Sequence, residues 1–508
     1  MKFTLRLRVS RTARGRVYQI VETARRRLQR LQAALSGAQA VRGTLPRVMT
    51  LRTILWCCAL TFAPTALAGE LRVGAAAVPI TPNPGTPMAG YYSARAAEGV
   101  DDDLYAKAIV IEQDGAKAAL VVCDLISMPR PVAEDARRII GQKAGLRPDH
   151  VMVSATHTHT GPVLPTGSSR DPSEEEPAAV AKQYVRTLPE LIARSVVLAE
   201  RNLRPARAWV GVGREESLAF NRRFFMKDGT VGWNPGKKNP DVVRPAGPTD
   251  PEVPVVYFDA PDGTPIATYV NFAMHLDTVG GLRVSADYPH TLSAILSKLK
   301  SPEMVTVFSI GCAGDINHID VNWADPQKGP SEARRIGTVL AGEVVKTTAR
   351  LKQVNTTAPR GRSEVLPLEL APISDGDVEW ARKTAVKFGK DAPSFMDRVK
   401  AFKVLDVHAR GGKPLEAEVQ VIKLGDDLAF VALPGEIFVE LGLDVKKRSP
   451  FRHTVIAELA NGSVGYVPTR RAYDQGNYEP VSARCAAGSG EKIAETAVRL
   501  LEQVARER

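Results

Sequence analysis

At 508 residues the chain is long enough for one large domain or two to three ordinary ones, and its apolar and charged fractions are those of a globular protein. The net charge of +12 is confined to one end: residues 1–68 hold 13 of the 68 basic residues and 1 of the 56 acidic ones, so the rest carries 55 of each sign. A formally neutral body excludes an electrostatic case for nucleic acid as its partner.

In chain order, Met49-Thr50-Leu51-Arg52 is a short positive segment, Thr53–Phe62 an apolar one and Ala66-Leu67-Ala68 a small-residue cleavage site. Together they predict a Sec-type signal peptide over 49–68, cleavage after Ala68, a mature start at Gly69 and a secreted or periplasmic protein. The apolar run is too short to span a bilayer. Residues 1–48, rich in Arg, read as an upstream extension with Met49 the true start; an amphipathic basic helix over Val17–Leu35 and an organellar transit segment are the alternatives. Cys57 and Cys58 leave with the signal. Cys123, Cys312 and Cys485 remain, which permits at most one bridge, and without a CxxC there is no thiolate zinc site.

Residues 69–508 alternate apolar strands with helices. Lys107–Gln113 and Lys117–Cys123 read as a hairpin across Asp114-Gly115, and Pro131–Gly145 as a helix stopped by its glycine. The β-favouring run Val151–Val153 ends in Ser154-Ala155-Thr156, and Ser168–Pro177 reads as an exposed loop. Ala178–Arg201 reads as a helix kinked or broken at Pro189, and Ala206–Gly213 as a strand. Lys227–Pro254, rich in Gly, Pro, Asn and Asp and carrying Trp233, reads as a long structureless loop over a site. Strands follow at Val253–Asp259, Pro265–Phe272 and Met304–Ile310, with helices at Pro289–Lys300 and Ser331–Leu351. The remainder predicts a helix at Val378–Phe388, a strand pair at Glu416–Leu424 and Leu428–Leu433, a helix over Glu436–Lys447, a strand at Thr454–Leu459 and an amphipathic helix over Ser489–Arg506. The whole predicts one large α/β domain: mixed β-sheets in the centre, flanking helices, and a site at C-terminal strand ends.

The chemistry concentrates at such ends. In Val151–Pro162, His157 and His159 stand two apart after an apolar run, a spacing that in extended backbone sends both imidazoles to one face. His275 closes the strand Tyr269–Met274, Glu436 follows Leu433-Pro434-Gly435, and Asn461–Pro468 with Tyr466 trails another strand. Any one of these has a bland alternative: a satisfied strand-end histidine, or a carboxylate at a helix N-terminus. Three further residues need weighing. Cys312, with His318 or His290, offers a rival nucleophile; Asp124 fits behind the site, with a second metal ligand the alternative; and Asp287 fits as a helix cap.

Taken in order, Ala155–Pro162, Asn271–His275, Leu433–Phe438 and Asn461–Glu479 resemble the catalytic domain of the neutral/alkaline ceramidases over most of residues 70–485. The resemblance implies a zinc amidohydrolase that cleaves the N-acyl bond of ceramide-like lipids to a sphingoid base and a fatty acid by a zinc-activated water. It assigns Zn²⁺ to His157, His275, Glu436 and Tyr466. It places His159 beside the metal as proton shuttle, and Tyr478 and Arg222 as oxyanion donors, with Arg223 competing for the place of Arg222. These ligands suit zinc, the phenolate being the least usual. The substrate would be a lipid or other N-acyl small molecule, met in transient contact with a membrane surface; the oligomeric state is not indicated. The sequence departs from the family in continuing with Val163-Leu164-Pro165 after the His pair, in the segment Ser285–Tyr288, and in lacking a counterpart to a C-terminal β-sandwich-like domain. A different amide or ester is therefore an alternative substrate, and a catalytically silent extracytoplasmic binding protein an alternative function.

Overall fold

The computed structural model describes residues 69–168, 171, 175–386 and 392–507; the extension and signal peptide expected over 1–68 lie outside them. Three β-sheets organise the chain. The first runs Val151–Ala155, Ala116–Cys123, Tyr105–Gln113, Arg72–Pro79, Arg204–Pro205 across its width. The second runs Val305–Ile310, Pro265–Phe272, Glu252–Asp259, Arg207–Arg214, Lys352–Gln353, and the third Arg360–Leu368, Leu415–Leu424, Leu428–Ala432, His453–Ala457. Alternation along each strand divides the side chains. Ile109 and Ile111, Phe258 and Tyr269, Ile422 and Phe430 meet in one core shared by all three sheets. Their neighbours, such as Val110, Val270 and Val421, face outward into helix-covered cores.

Each of these three sheets contains one parallel pair, and each such pair is bridged by a helix, as parallel strands require. Helix Arg130–Ala144 joins Ala116–Cys123 to Val151–Ala155. Tyr288–Leu299 joins Pro265–Phe272 to Val305–Ile310, and Val439–Arg448 joins Leu428–Ala432 to His453–Ala457. The C-terminal ends of these pairs therefore point the same way along each unit, which is where side chains can converge beyond a sheet.

Gly145 ends its helix in the left-handed region at φ 70°, and Asp287 caps the next one by accepting the Tyr288 N–H, both as expected. The C-terminal helix spans Ser489–Arg506 and buries Ile493, Ala497, Leu500, Leu501 and Val504. Three expectations are corrected, and two elements are new. Helix Glu175–Arg201 runs unbroken through Pro189, because burial of Leu188, Ile192 and Val196 outweighs one missing hydrogen bond. The stretch read as a loop over 227–254 folds with Arg223–Met226 into a small sheet, using Val231–Trp233 and Val242–Pro245. Glu436 does not open a helix: it lies with Ile437 on a two-residue strand, and the helix begins at Val439. Helix Phe395–Ala409 and strand Arg360–Leu368 were not anticipated, since neither carries a clean apolar period. The expected helix over 378–388 is seen at Asp375–Ala385, and the last two residues of that expectation, 387 and 388, lie outside the described residues. No helix among the described residues is long and apolar enough to cross a membrane.

Candidate metal centre

The three sheets each contribute a side chain to one point. His157 follows the first sheet's parallel pair, His275 the second's leading strand and Glu436 the third's. The Glu436 Oε2 atom lies 3.4 Å from Nε2 of His157 and 3.4 Å from Nε2 of His275. All three side chains are largely withdrawn from solvent. The His pair is not extended as the spacing suggested. Strand Val151–Ala155 ends two residues earlier, and His157 sits in the left-handed region at φ 76°. The turn still brings Nε2 of His159 to 3.2 Å from Nε2 of His157.

Each of the two converging imidazoles is oriented from behind by the other strand of its parallel pair. Nδ1 of His157 donates to the Ile126 carbonyl at 2.7 Å, just past strand Ala116–Cys123. Nδ1 of His275 donates to the Ala313 carbonyl at 2.8 Å, just past Val305–Ile310. A carbonyl can only accept, so both rings carry their proton on Nδ1 and turn an Nε2 lone pair to the centre. Asp124 holds the end of its strand by accepting the Tyr105 N–H at 2.9 Å.

Glu436 and Tyr466 are brought together by a two-residue parallel ladder in which they are direct partners. Arg222 fills the remaining side. Its guanidinium lies 3.2 Å from Nε2 of His275 and donates to the Tyr466 hydroxyl at 3.1 Å and the Gly314 carbonyl at 2.7 Å. Glu479, with no exposed side-chain surface, accepts from Arg222 at 2.8 Å through one oxygen and from Arg223 at 2.8 Å through the other. Arg222 thus faces the imidazoles, while Arg223 turns to the Gly476 carbonyl. Tyr478 packs its ring 5.4 Å from that of Tyr466 and 4.4 Å from that of Trp233. Glu479 carried no sequence signal beyond its place beside Tyr478.

The electrostatics are those of a charged group packed among bases. Burial opposes the charge on Glu436, but His157 and His275 hold its carboxyl well below the usual carboxylate range. Burial, reinforced by Arg222, pushes His275 down to about 3, and burial takes His159 down to about 4. Burial and the Glu436 carboxylate keep Tyr466 well above an ordinary phenol. Burial likewise raises Tyr478.

The donor set fits a divalent ion. Ligand atoms about 2 Å from a tetrahedral zinc are separated by roughly 3.3 Å, and the two imidazole–carboxylate separations are both 3.4 Å. Moreover, Glu436 Oε2 is a buried polar atom without a hydrogen-bond partner, aimed at the same point. His157, His159 and His275 form an overlapping group, their ligand atoms lying within 4.8 Å of one another. Cys312, by contrast, is buried in the third sheet's outer core, where burial pushes its thiol well above the ordinary value. It makes no hydrogen bond to an imidazole among the described residues, which removes the support for a thiol nucleophile. The three remaining cysteines are all unbridged.

No family model matches the chain. Among solved structures it is similar to the neutral ceramidase from Pseudomonas aeruginosa, with a TM-score of 0.66 and 20% identity over 86% of this chain and 75% of that one. It is similar also to a ceramidase complexed with C2, with a TM-score of 0.66 and 19% identity over the same shares. The fold is therefore ceramidase-like: a mixed α/β architecture of several sheets flanked by helices.

Proposed function

We propose that this chain is a secreted or periplasmic metal-dependent hydrolase of ceramidase type, cleaving the N-acyl bond of a lipid-like amide. The observation that carries the reading is the meeting of His157, His275 and the unpartnered Glu436 oxygen at tetrahedral spacing. These three, with Tyr466, would hold the ion, and zinc is the metal their chemistry suits best. When bound, such an ion lowers the pKa of water and polarises a carbonyl.

The protein's own groups supply the rest. Arg222, anchored by Glu479, presents a guanidinium whose charge is favoured by Tyr466 and Glu479 against the cost of burial. Beside the ring of Tyr478, 5.8 Å away, it offers stabilisation to an oxyanion forming at the amide carbon. His159, adjoining His157, takes a proton from water and returns it to the departing amine. The rings of Trp233 and Phe395, stacked 5.5 Å apart beside Tyr478, give the approach an apolar wall suited to an acyl or sphingoid chain. Contact with a membrane surface would be transient, and the neutral body supports no nucleic-acid partner.

The testing experiment is a panel of N-acyl substrates, led by a fluorescent N-acylsphingosine, run on protein beginning at Gly69 after metal analysis. Fatty acid release at one metal per chain is expected. Release only from another amide or an ester reassigns the substrate. A metal-free protein with no turnover points to a binding protein on this fold.

A further inference from the structure

The loop after strand Pro265–Phe272 repeats the spacing of the His pair: His275 is followed two residues later by Asp277. One parallel bridge joins Thr158 to Leu276, and the His159 N–H donates to the Leu276 carbonyl at 3.1 Å. Residues on either side of that bridge come face to face. His157 meets His275, with ring centroids 4.5 Å apart, and His159 meets Asp277, with Nδ1 3.8 Å from the carboxylate. The first pair turns to Glu436; the second forms a separate polar wall.

The Nδ1 atoms distinguish the three imidazoles. Those of His157 and His275 are fixed on backbone carbonyls, partners that cannot change protonation state. That of His159 is buried without a hydrogen bond, with an acid as its charged neighbour. Asp277 is itself held from two sides: the Tyr91 hydroxyl donates to one oxygen, and Lys328 Nζ stands 3.4 Å from the other. The Tyr91 ring packs edge-on against His159 at 5.6 Å, with Arg95 over it at 4.2 Å and donating to the His159 carbonyl at 2.8 Å. Even the backbone of this segment is pressed onto His159. A Cβ on Gly90, at φ 103°, would stand 2.8 Å from its Cα, Cβ and carbonyl oxygen.

We propose that Asp277, braced by Tyr91 and Lys328, is the positioning residue that orients His159 for proton transfer to the leaving amine. This rests on the hydrolase reading above. With Nδ1–H directed at Asp277, Nε2 carries the exchanging proton. Nε2 accepts it from the attacking water as the new C–O bond forms, and delivers it to the amine nitrogen as the C–N bond breaks. One water is consumed; one carboxylic acid and one amine leave. A separation of 3.8 Å belongs to the resting state, since catalytic hydrogen bonds commonly tighten only around substrate.

The test compares two substrates of the same acyl chain on the metal-loaded protein: an N-acylsphingosine, whose amine must be protonated to leave, and a nitrophenyl ester, whose leaving group needs no proton. In Asp277→Asn, kcat on the amide falls roughly 10–100-fold with KM little changed, full metal content and an unaltered melting temperature, while the ester reaction, which needs the proton taken from water but none returned to the leaving group, falls distinctly less. Asp277→Glu recovers part of the loss. Tyr91→Phe, which keeps the ring but drops the hydroxyl, shows the same selectivity at smaller size and stands in should Asp277→Asn fail to fold. Equal losses on both substrates, unchanged amide turnover, or metal lost together with activity overturns the proposal. A wild-type protein that turns over neither substrate overturns the hydrolase reading, and this inference with it.

Discussion

Strand Val151–Ala155 has a buried polar network at each end, and the two are built on opposite plans. At its start, Arg137 donates to the Val151 carbonyl at 2.8 Å, to both oxygens of Glu418 at 2.8 and 2.9 Å, and to Gln420 at 3.2 Å. Gln420 in turn donates to the Asp149 carbonyl at 3.0 Å and accepts from Asn461 at 2.8 Å, and Asn461 accepts the Val153 N–H at 3.0 Å. No side-chain atom of these four residues is left without a partner. Past the strand's other end, Glu436 Oε2 and His159 Nδ1 are both buried and both unpartnered. A closed network fastens sheet to sheet, here the first to the third. An open one has room for something the chain does not itself contain.

Variants should therefore separate the two regions cleanly. The largest effect falls on His159→Ala, which is expected to lower kcat roughly 10²–10⁴-fold while metal content stays at the wild-type level by atomic absorption. Metal lost in step with activity would instead move His159 among the ligands. On the closed side, Arg137→Ala strands Glu418 in a dry site and is expected to cost about 3–5 kcal/mol of stability. Urea unfolding would report this, with metal content and kcat of the folded fraction unchanged. Should Arg137→Ala instead spare stability and abolish turnover, the division between the regions would be wrong.

Next in size is Arg222→Ala. Removing one donor to a developing oxyanion costs about 10²–10³ in kcat, whereas Arg223→Ala should act through stability, although both arginines share Glu479. Steady-state kinetics beside thermal melts of the two variants distinguishes these roles.

The smallest effect is in acid. His275 is pushed from 6.5 down to about 3 in the folded chain, so the unfolded state binds the extra proton between those values. The depressed carboxyl of Glu436 acts in the same direction, its contribution being present above the ordinary carboxylate value and lost as pH falls through its lowered one. With metal chelated, melting temperature is expected to be level above pH 6.5 and to fall toward pH 3, and His275→Gln should flatten that slope. A slope of unchanged steepness in the variant would place the acid sensitivity elsewhere.

Much of this arrangement is legible in the residues themselves. Strands such as Pro265–Phe272 and the helix Ser489–Arg506 follow from apolar period and turn residues, because both signals are local. The His pair stood out for the same reason, although its spacing suggested extended backbone and the chain instead turns at His157. Non-local geometry left weaker traces. Glu436 looked like the first residue of a helix because Pro-Gly precedes it and an amphipathic run follows; the two-residue ladder to Tyr466 depends on a partner thirty residues away. Glu479 and Asp277 are ordinary acids in sequence. Their meaning comes from Arg222 and His159, far off along the chain. Asp277 did have one available signal, the repeat of the two-residue spacing after His275 that mirrors the His pair.

Everything turns on whether the open network holds an ion. The direct measurement is the metal content of purified protein starting at Gly69, set beside Glu436→Gln prepared in the same way. One zinc per chain is expected in the first. In the second, affinity should fall by more than the roughly 10–100-fold that losing an outer partner of a ligand costs. A wild-type protein devoid of divalent metal after exposure to zinc, or a Glu436→Gln variant that binds it as tightly, would contradict the account.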